Sequence, residues 1–227
     1  MPSIPAPENP ARRQFFRITV GTAALMTMGK AAAQASAIMK RPIPRSGEML
    51  PAVGVGTWQT FDVGPKAPER AELKEVLRLL VAAGGSVVDS SPMYGKSESV
   101  VGDLTADGLR EKLFFATKVW TSGREAGIHQ MEDSFRLMRA QRMDLMQVHN
   151  LLDLSTHAKT LREWKTAGRI RYIGITHYHA GAHAELEKIV RTRAWDFVQF
   201  NYSMAEDRKS TRLNSSHIQK SRMPSSA

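Results

Sequence analysis

Four residue types in this chain add up to acid–base chemistry. Asp89 closes a short apolar run, Tyr94 follows it in Ser90-Ser91-Pro92-Met93-Tyr94-Gly95, and Lys118 and His149 each close a later apolar run. A phenol with a pKa near 10 is a poor proton donor until something stabilises its anion. A lysine ammonium does that, and an aspartate carboxylate can hold the lysine in place. A histidine beside the phenol can hydrogen-bond a substrate oxygen or relay a proton. Such a set suits protonation of an alkoxide as a carbonyl is reduced. Taken singly, each residue has a plainer reading: Asp89 as a loop cap, Lys118 as a snorkelling side chain, Tyr94 as a half-buried turn residue, His149 as a structural hydrogen-bonder. Their conjunction at the ends of successive strands is what points to a site.

The elements that must position them alternate regularly. Residues 38–50, with Pro42, Pro44 and Ser46-Gly47, read as a hairpin, and Val53 to Thr57 as the first core strand. Leu73, Val76, Leu77, Leu80 and Val81 then follow the spacing of a helix lying on a core, closed by Gly84-Gly85. Val87-Val88 leads into Asp89, a helix is expected from Glu98 to Leu109, and Leu113 to Thr117 leads into Lys118. Ile128, Met131, Phe135 and Met138 mark a helix before the strand Asp144 to Val148 and His149. A helix around Leu161 and Trp164 precedes the strand Ile170 to Ile175, which ends at Thr176-His177. Leu186, Ile189 and Val190 mark the helix before Phe197 to Phe200. Strands separated by helical crossovers make a parallel sheet, either open or closed. Polar residues at Asp89, Lys118, His149, Thr176 and Gln199 favour the closed form, because the strand ends of an α/β (β/α)8 TIM barrel converge on one site. Six strands do not close one.

Length and composition bound the rest. The chain has 227 residues, 42% of them hydrophobic and 24% charged, which is ordinary for a globular protein. It has no cysteine, which removes disulfide scaffolds and thiolate metal sites. The net charge of +10 sits mostly at the ends: residues 1–37 carry +3 and residues 207–227 carry +4. The remaining +3 is too little to support a nucleic-acid partner. Arg12-Arg13-Gln14-Phe15-Phe16, the modestly apolar stretch Ile18 to Met28, and a small-residue site at Ala33-Gln34-Ala35 or Ala35-Ser36-Ala37 resemble a twin-arginine export signal over residues 1–37. That implies a translocase partner and a periplasmic destination. The apolar stretch is too short, and too interrupted by Gly and Thr, for a stable membrane span. At the other end, DRKSTRLNSSH and SRMPSSA are what a common short-read sequencing adapter encodes in frame. Residues 207–227 are therefore expected to be a non-native, disordered tail, with the native chain cut after Glu206.

Between those ends the motifs carry a family resemblance. Val87-Val88-Asp89-Ser90 with Tyr94-Gly95, Glu98 and Val101-Gly102, then Ala116-Thr117-Lys118-Val119-Trp120, then Met146-Gln147-Val148-His149, resemble the aldo-keto reductases over residues 38–206. The resemblance implies a (β/α)8 barrel, truncated here after about the sixth strand, NADPH as cofactor with NADH as the alternative, no metal, and a small carbonyl substrate. It implies Tyr94 as the general acid, tuned by Lys118 and Asp89, with His149 orienting the carbonyl. Cofactor contacts would come from Gly56, Thr57, Asp89, Thr176, His177 and Gln199, and the substrate pocket from Trp58 and Trp120, for which core packing is the plainer reading. Thr176-His177 stands where family members commonly have Ser-Asn, so the paired amide donor and acceptor is lost there. Two open sheet edges would remain, and such a piece is expected to be unstable and to have negligible reductase activity. The competing expectation is a non-catalytic, nucleotide-binding module of the same family that binds a partner protein.

Overall fold

The computed structural model describes residues 38–202. An antiparallel hairpin comes first, β1 (Lys40–Pro42) and β2 (Met49–Pro51), paired Lys40 to Pro51 and Pro42 to Met49. Six parallel strands follow in consecutive spatial order: β3 (Gly54–Gly56), β4 (Val87–Asp89), β5 (Phe114–Val119), β6 (Met143–His149), β7 (Ile170–His177) and β8 (Phe197–Phe200). Consecutive order among parallel strands is the barrel pattern, and the sheet curls into a partial (β/α) barrel with β3 and β8 at its edges. Helices α1 (Glu69–Ala82), α2 (Ser97–Leu104), α3 (Arg124–Leu137), α4 (Leu154–Thr166) and α5 (His183–Arg191) supply the crossovers.

Both faces of β5 and β6 are buried along their whole length, as a parallel sheet covered on each side requires. Outward-pointing residues such as Phe115, Met146, Ile173 and Val198 join Leu77, Val101, Met131 and Leu161 from the helices in one large core. Inward-pointing residues make a second, smaller core: Phe114, Ala116, Leu145, Tyr172 and Phe197, with Ile43 and Leu50 from the hairpin. Phe114, Tyr172 and Phe197 pack ring on ring, with centroids 5.6 to 6.1 Å apart. The hairpin thus plugs the end where the strands begin. It is tied there by Ser46 Oγ to Tyr172 Oη at 2.8 Å and by Arg171, which bridges Glu48 and Asp144.

The expected strands are all present, with small differences at their ends. Lys118 lies inside β5, which runs on to Val119. Helix α2 stops at Leu104 rather than Leu109. Thr105 turns its hydroxyl back onto the Val101 carbonyl at 2.8 Å, and Gly108, at φ +90°, breaks the chain into a single 3-10 turn at Arg110–Lys112. No helix among the described residues is long and apolar enough to cross a membrane. The export signal, and the tail beyond Glu206, lie outside the described residues.

Candidate active site

Period-two alternation builds the site directly on the inner core. Along β5 the inward residues run Phe114, Ala116, Lys118; along β6, Leu145, Gln147, His149; along β7, Tyr172, Gly174, Thr176; along β8, Phe197, Gln199. Apolar side chains fill the early positions and polar ones the late positions. Register then aligns the polar layer: Gly56 pairs with Asp89, Lys118 with Gln147, His149 with Thr176, and Thr176 with Gln199.

Asp89 is the hub. Its Oδ2 accepts from Lys118 Nζ at 2.8 Å and from Gln199 Nε2 at 3.2 Å, and its Oδ1 accepts from Gln147 Nε2 at 3.2 Å. Lys118 is fully buried and also donates to the Ser90 carbonyl at 2.7 Å. A buried ammonium needs such partners, because an unpaired one costs several kcal/mol. Gln147 was not among the residues singled out from sequence, although its place two residues before His149 puts it on the same strand face. Gly174 leaves room for it: a Cβ there would lie 3.0 Å from Gln147 Cγ.

Tyr94 is buried, with the Lys118 ammonium 5.0 Å from its ring centre. Burial pushes its phenol pKa up; the Lys118 charge pulls it down without cancelling that, and Asp89 adds a smaller upward push. The turn carrying Tyr94 depends on Gly95, at φ +58°, where a Cβ would strike the Asp62 carboxylate at 2.3 Å. That carboxylate accepts the Lys96 backbone N–H at 2.9 Å, pinning the turn to the loop after β3.

His149 is buried, and its Nδ1 lies 3.2 Å from Thr176 Oγ1. Burial, then the charge of Lys118, then that of His177, lower its pKa to about 3, so the ring is neutral at physiological pH. Trp120 stands edge-on to it, with ring centres 6.3 Å apart at 82°. The backbone of Trp120 is clamped twice by Gln130, whose Oε1 accepts from its N–H at 2.5 Å and whose Nε2 donates to its carbonyl at 3.2 Å.

A cavity of about 630 Å³ runs beside this layer, lined by Gly56, Thr57, Trp58, Asp89, Tyr94, Gln147 and Gln199 at one end and by the inner apolar residues at the other. Trp58 and Trp120 keep 45% and 40% of their surface exposed, which fits a rim and not a core. Thr57 is fully buried, and its hydroxyl is turned to the neighbouring strand, bonding the Asp89 carbonyl at 3.1 Å and Ser90 Oγ at 2.9 Å. His177 stands apart from the Asp89 network. Its Nδ1 accepts from the His179 backbone at 3.1 Å, and its ring stacks on Tyr178. Glu98 lies on the helix side of the sheet, accepting from Thr117 Oγ1 at 2.5 Å, and burial raises its pKa.

Comparison with known proteins gives the family and the fold. The Aldo/keto reductase family model matches residues 52–221, a stretch that runs past Glu206. Methylglyoxal reductase YeaE of Escherichia coli is 36% identical over 117 residues, covering 49% of this chain and 40% of that protein. Aldo-keto reductase YhdN of Bacillus subtilis is 27% identical over 142 residues, covering 56% and 43% respectively. The chain therefore spans less than half the length of these curated relatives. Among solved structures, the aldo-keto reductase from Klebsiella pneumoniae in complex with NADPH superposes with a TM-score of 0.65 at 22% identity, covering 80% of this chain and 67% of that one. The chain belongs to the aldo/keto reductase family.

Proposed function

We propose that this chain carries the acid–base half of an NADPH-dependent reduction of an aldehyde or ketone to an alcohol. The observation that carries the reading is the division of labour around Asp89. Lys118 is committed to Asp89 and Ser90. His149, its pKa lowered to about 3 chiefly by burial, is neutral at pH 7. Of the four acid–base residues, Tyr94 is the one that both lines the cavity and keeps a proton to give. Its hydroxyl protonates the carbonyl oxygen, the Lys118 ammonium eases the phenolate left behind, and the neutral imidazole of His149 donates a hydrogen bond to the same oxygen.

NADPH, or NADH in its place, supplies the hydride when bound. The donor set fits such a cofactor, because Gln199 and Thr176 offer amide and hydroxyl groups to a carboxamide beside an open wall at Gly56, where a Cβ would meet nothing within 4 Å. Thr57 and Asp89 back that wall, and His177 would reach it only from the rim. Trp58 and Trp120 flank the entrance and would line the substrate pocket. A panel of small aldehydes offered with NADPH to the full-length gene product tests the reading. Oxidation of NADPH that depends on the aldehyde supports it; NADPH binding with no turnover on any of them favours the non-catalytic module.

Residues 1–37 we read as a twin-arginine signal taking the folded protein to the periplasm. Cell fractionation checks this: replacing Arg12 and Arg13 by Lys should keep the protein in the cytoplasm. Residues 207–227 we read as translated adapter. A genomic sequence that encodes DRKSTRLNSSH after codon 206 would sink that reading.

A further inference from the structure

Trp120 follows β5 with 40% of its surface exposed, so core packing alone does not hold its ring. Its place is set by the backbone that carries it, and that backbone is anchored at Trp120, Thr121 and Gly123. Gln130 of α3 holds both polar backbone atoms of Trp120. The other two anchors come from the next crossover. His157, on α4, meets the Thr121 carbonyl through Nε2 at 2.6 Å, and Asp153, just before α4, accepts the Gly123 N–H at 2.8 Å. A carbonyl oxygen can only accept, so Nε2 carries the hydrogen of the His157 ring.

Packing does not explain why a histidine stands there. The side chain is fully buried, and among the described residues its Nδ1 has no hydrogen-bond partner. An apolar side chain of similar bulk would avoid that penalty. Gly127, inside α3, makes room for the ring: a Cβ there would lie 2.7 Å from His157 Nδ1. Glycine is a poor residue inside a helix, so the neighbouring helix is weakened to admit this imidazole. Asp153 also stands on disfavoured backbone. Asn150, Leu151 and Asp153 take φ of +52°, +57° and +46°, which side chains hold only where their surroundings fix them. We infer that His157 and Asp153 are positioning residues for the substrate pocket, tying the loop that carries Trp120 to the loop that follows β6 so that the indole keeps one place on the rim.

The purpose of these anchors rests on the carbonyl-reductase reading, but the place of the indole is measurable without turnover. The full-length gene product, labelled with 5-fluorotryptophan, is observed by 19F NMR, with Trp120→Phe used to assign the Trp120 line. His157→Leu removes the donor and keeps the bulk. Asp153→Gly removes the acceptor, and glycine takes the positive φ without strain. Both should broaden or split the Trp120 line and leave that of Trp58 in place. His157→Gln, which keeps an N–H in reach of the carbonyl, and Asp153→Asn, which keeps an acceptor oxygen, should hold the wild-type line. In turnover of an aldehyde, the first two variants should raise KM about three- to tenfold, with kcat changed by less than about twofold. A merely structural role would lower the melting temperature and leave the Trp120 line and KM alone. An unmoved Trp120 line in Asp153→Gly, or in a folded His157→Leu, overturns the inference. So does equal broadening in His157→Gln and His157→Leu, or an unchanged KM in a variant whose Trp120 line has moved. Failure of the reductase reading would appear elsewhere, as the expected 19F pattern in a protein with no turnover of any aldehyde.

Discussion

The ion pair at the hub of the site lends itself to a worked test. Asp89 and Lys118 meet at 2.8 Å with the lysine side chain fully buried and the aspartate 13% exposed. At an effective dielectric of 20 the Coulomb attraction at that distance is about 6 kcal/mol, most of it offset by the desolvation of both groups. Asp89→Asn removes the charge and one acceptor oxygen. Three donors now point at the residue, from Lys118, Gln147 and Gln199. If the new NH2 is turned to Gln147, one donor is left facing another; if turned the other way, two are. The single substitution should cost about 3–5 kcal/mol, because it strands a buried ammonium. Lys118→Met removes the ammonium and leaves Asp89 two amide donors, so it should cost less, about 1–3 kcal/mol. The double variant should be more stable than the sum of the two losses allows, with a coupling of about 2 kcal/mol. Urea unfolding followed by tryptophan fluorescence on the four proteins reads these values. A coupling below about 0.5 kcal/mol would mean that the pair does not organise the site as described.

Other perturbations have equally definite signs. His149 is neutral when folded and has an ordinary pKa when unfolded, so the unfolded chain binds the extra proton below about pH 6.5. Stability should therefore fall by up to about 1.4 kcal/mol per pH unit as the pH drops from there toward 3, a dependence that His149→Asn removes; equal slopes for the two proteins between pH 6.5 and 5 would contradict it. Gly102→Ala places a Cβ 2.1 Å from the Leu137 carbonyl oxygen, forcing α2 away from α3, and should lower stability by about 3 kcal/mol or more in the same unfolding assay. Gln130→Ala frees the Trp120 backbone from both of its clamps. It should raise KM for a carbonyl substrate about three- to tenfold while the affinity for NADPH stays the same.

Much of this site was legible in the sequence because strands have a period of two. Once His149 was placed at a strand end, the depth of Lys118, Thr176 and Gln199 followed from the spacing of the strands. The same rule would have found Gln147, since its position two residues before His149 puts it on the inner face. What could not be read was which polar groups would choose each other. Thr57 was expected at the cofactor and has its hydroxyl turned to Ser90 and the Asp89 carbonyl. Thr176, which the resemblance implies for a carboxamide, also meets His149 across the strands. His177, beside it in sequence, belongs to its own loop. Such choices depend on register and on competing partners across strands, which no local pattern encodes. The clamp of Gln130 on Trp120 is of the same kind, a contact between a helix and the end of a strand ten residues earlier.

The central claim is that Tyr94 supplies the proton in a carbonyl reduction while its neighbours tune and orient. Tyr94→Phe in the full-length gene product tests it most directly, with turnover of an aldehyde and NADPH binding measured side by side. The account predicts a loss of turnover of at least about a hundredfold with the dissociation constant for NADPH changed by less than about threefold. Turnover retained in Tyr94→Phe would contradict it and move the proton donor elsewhere.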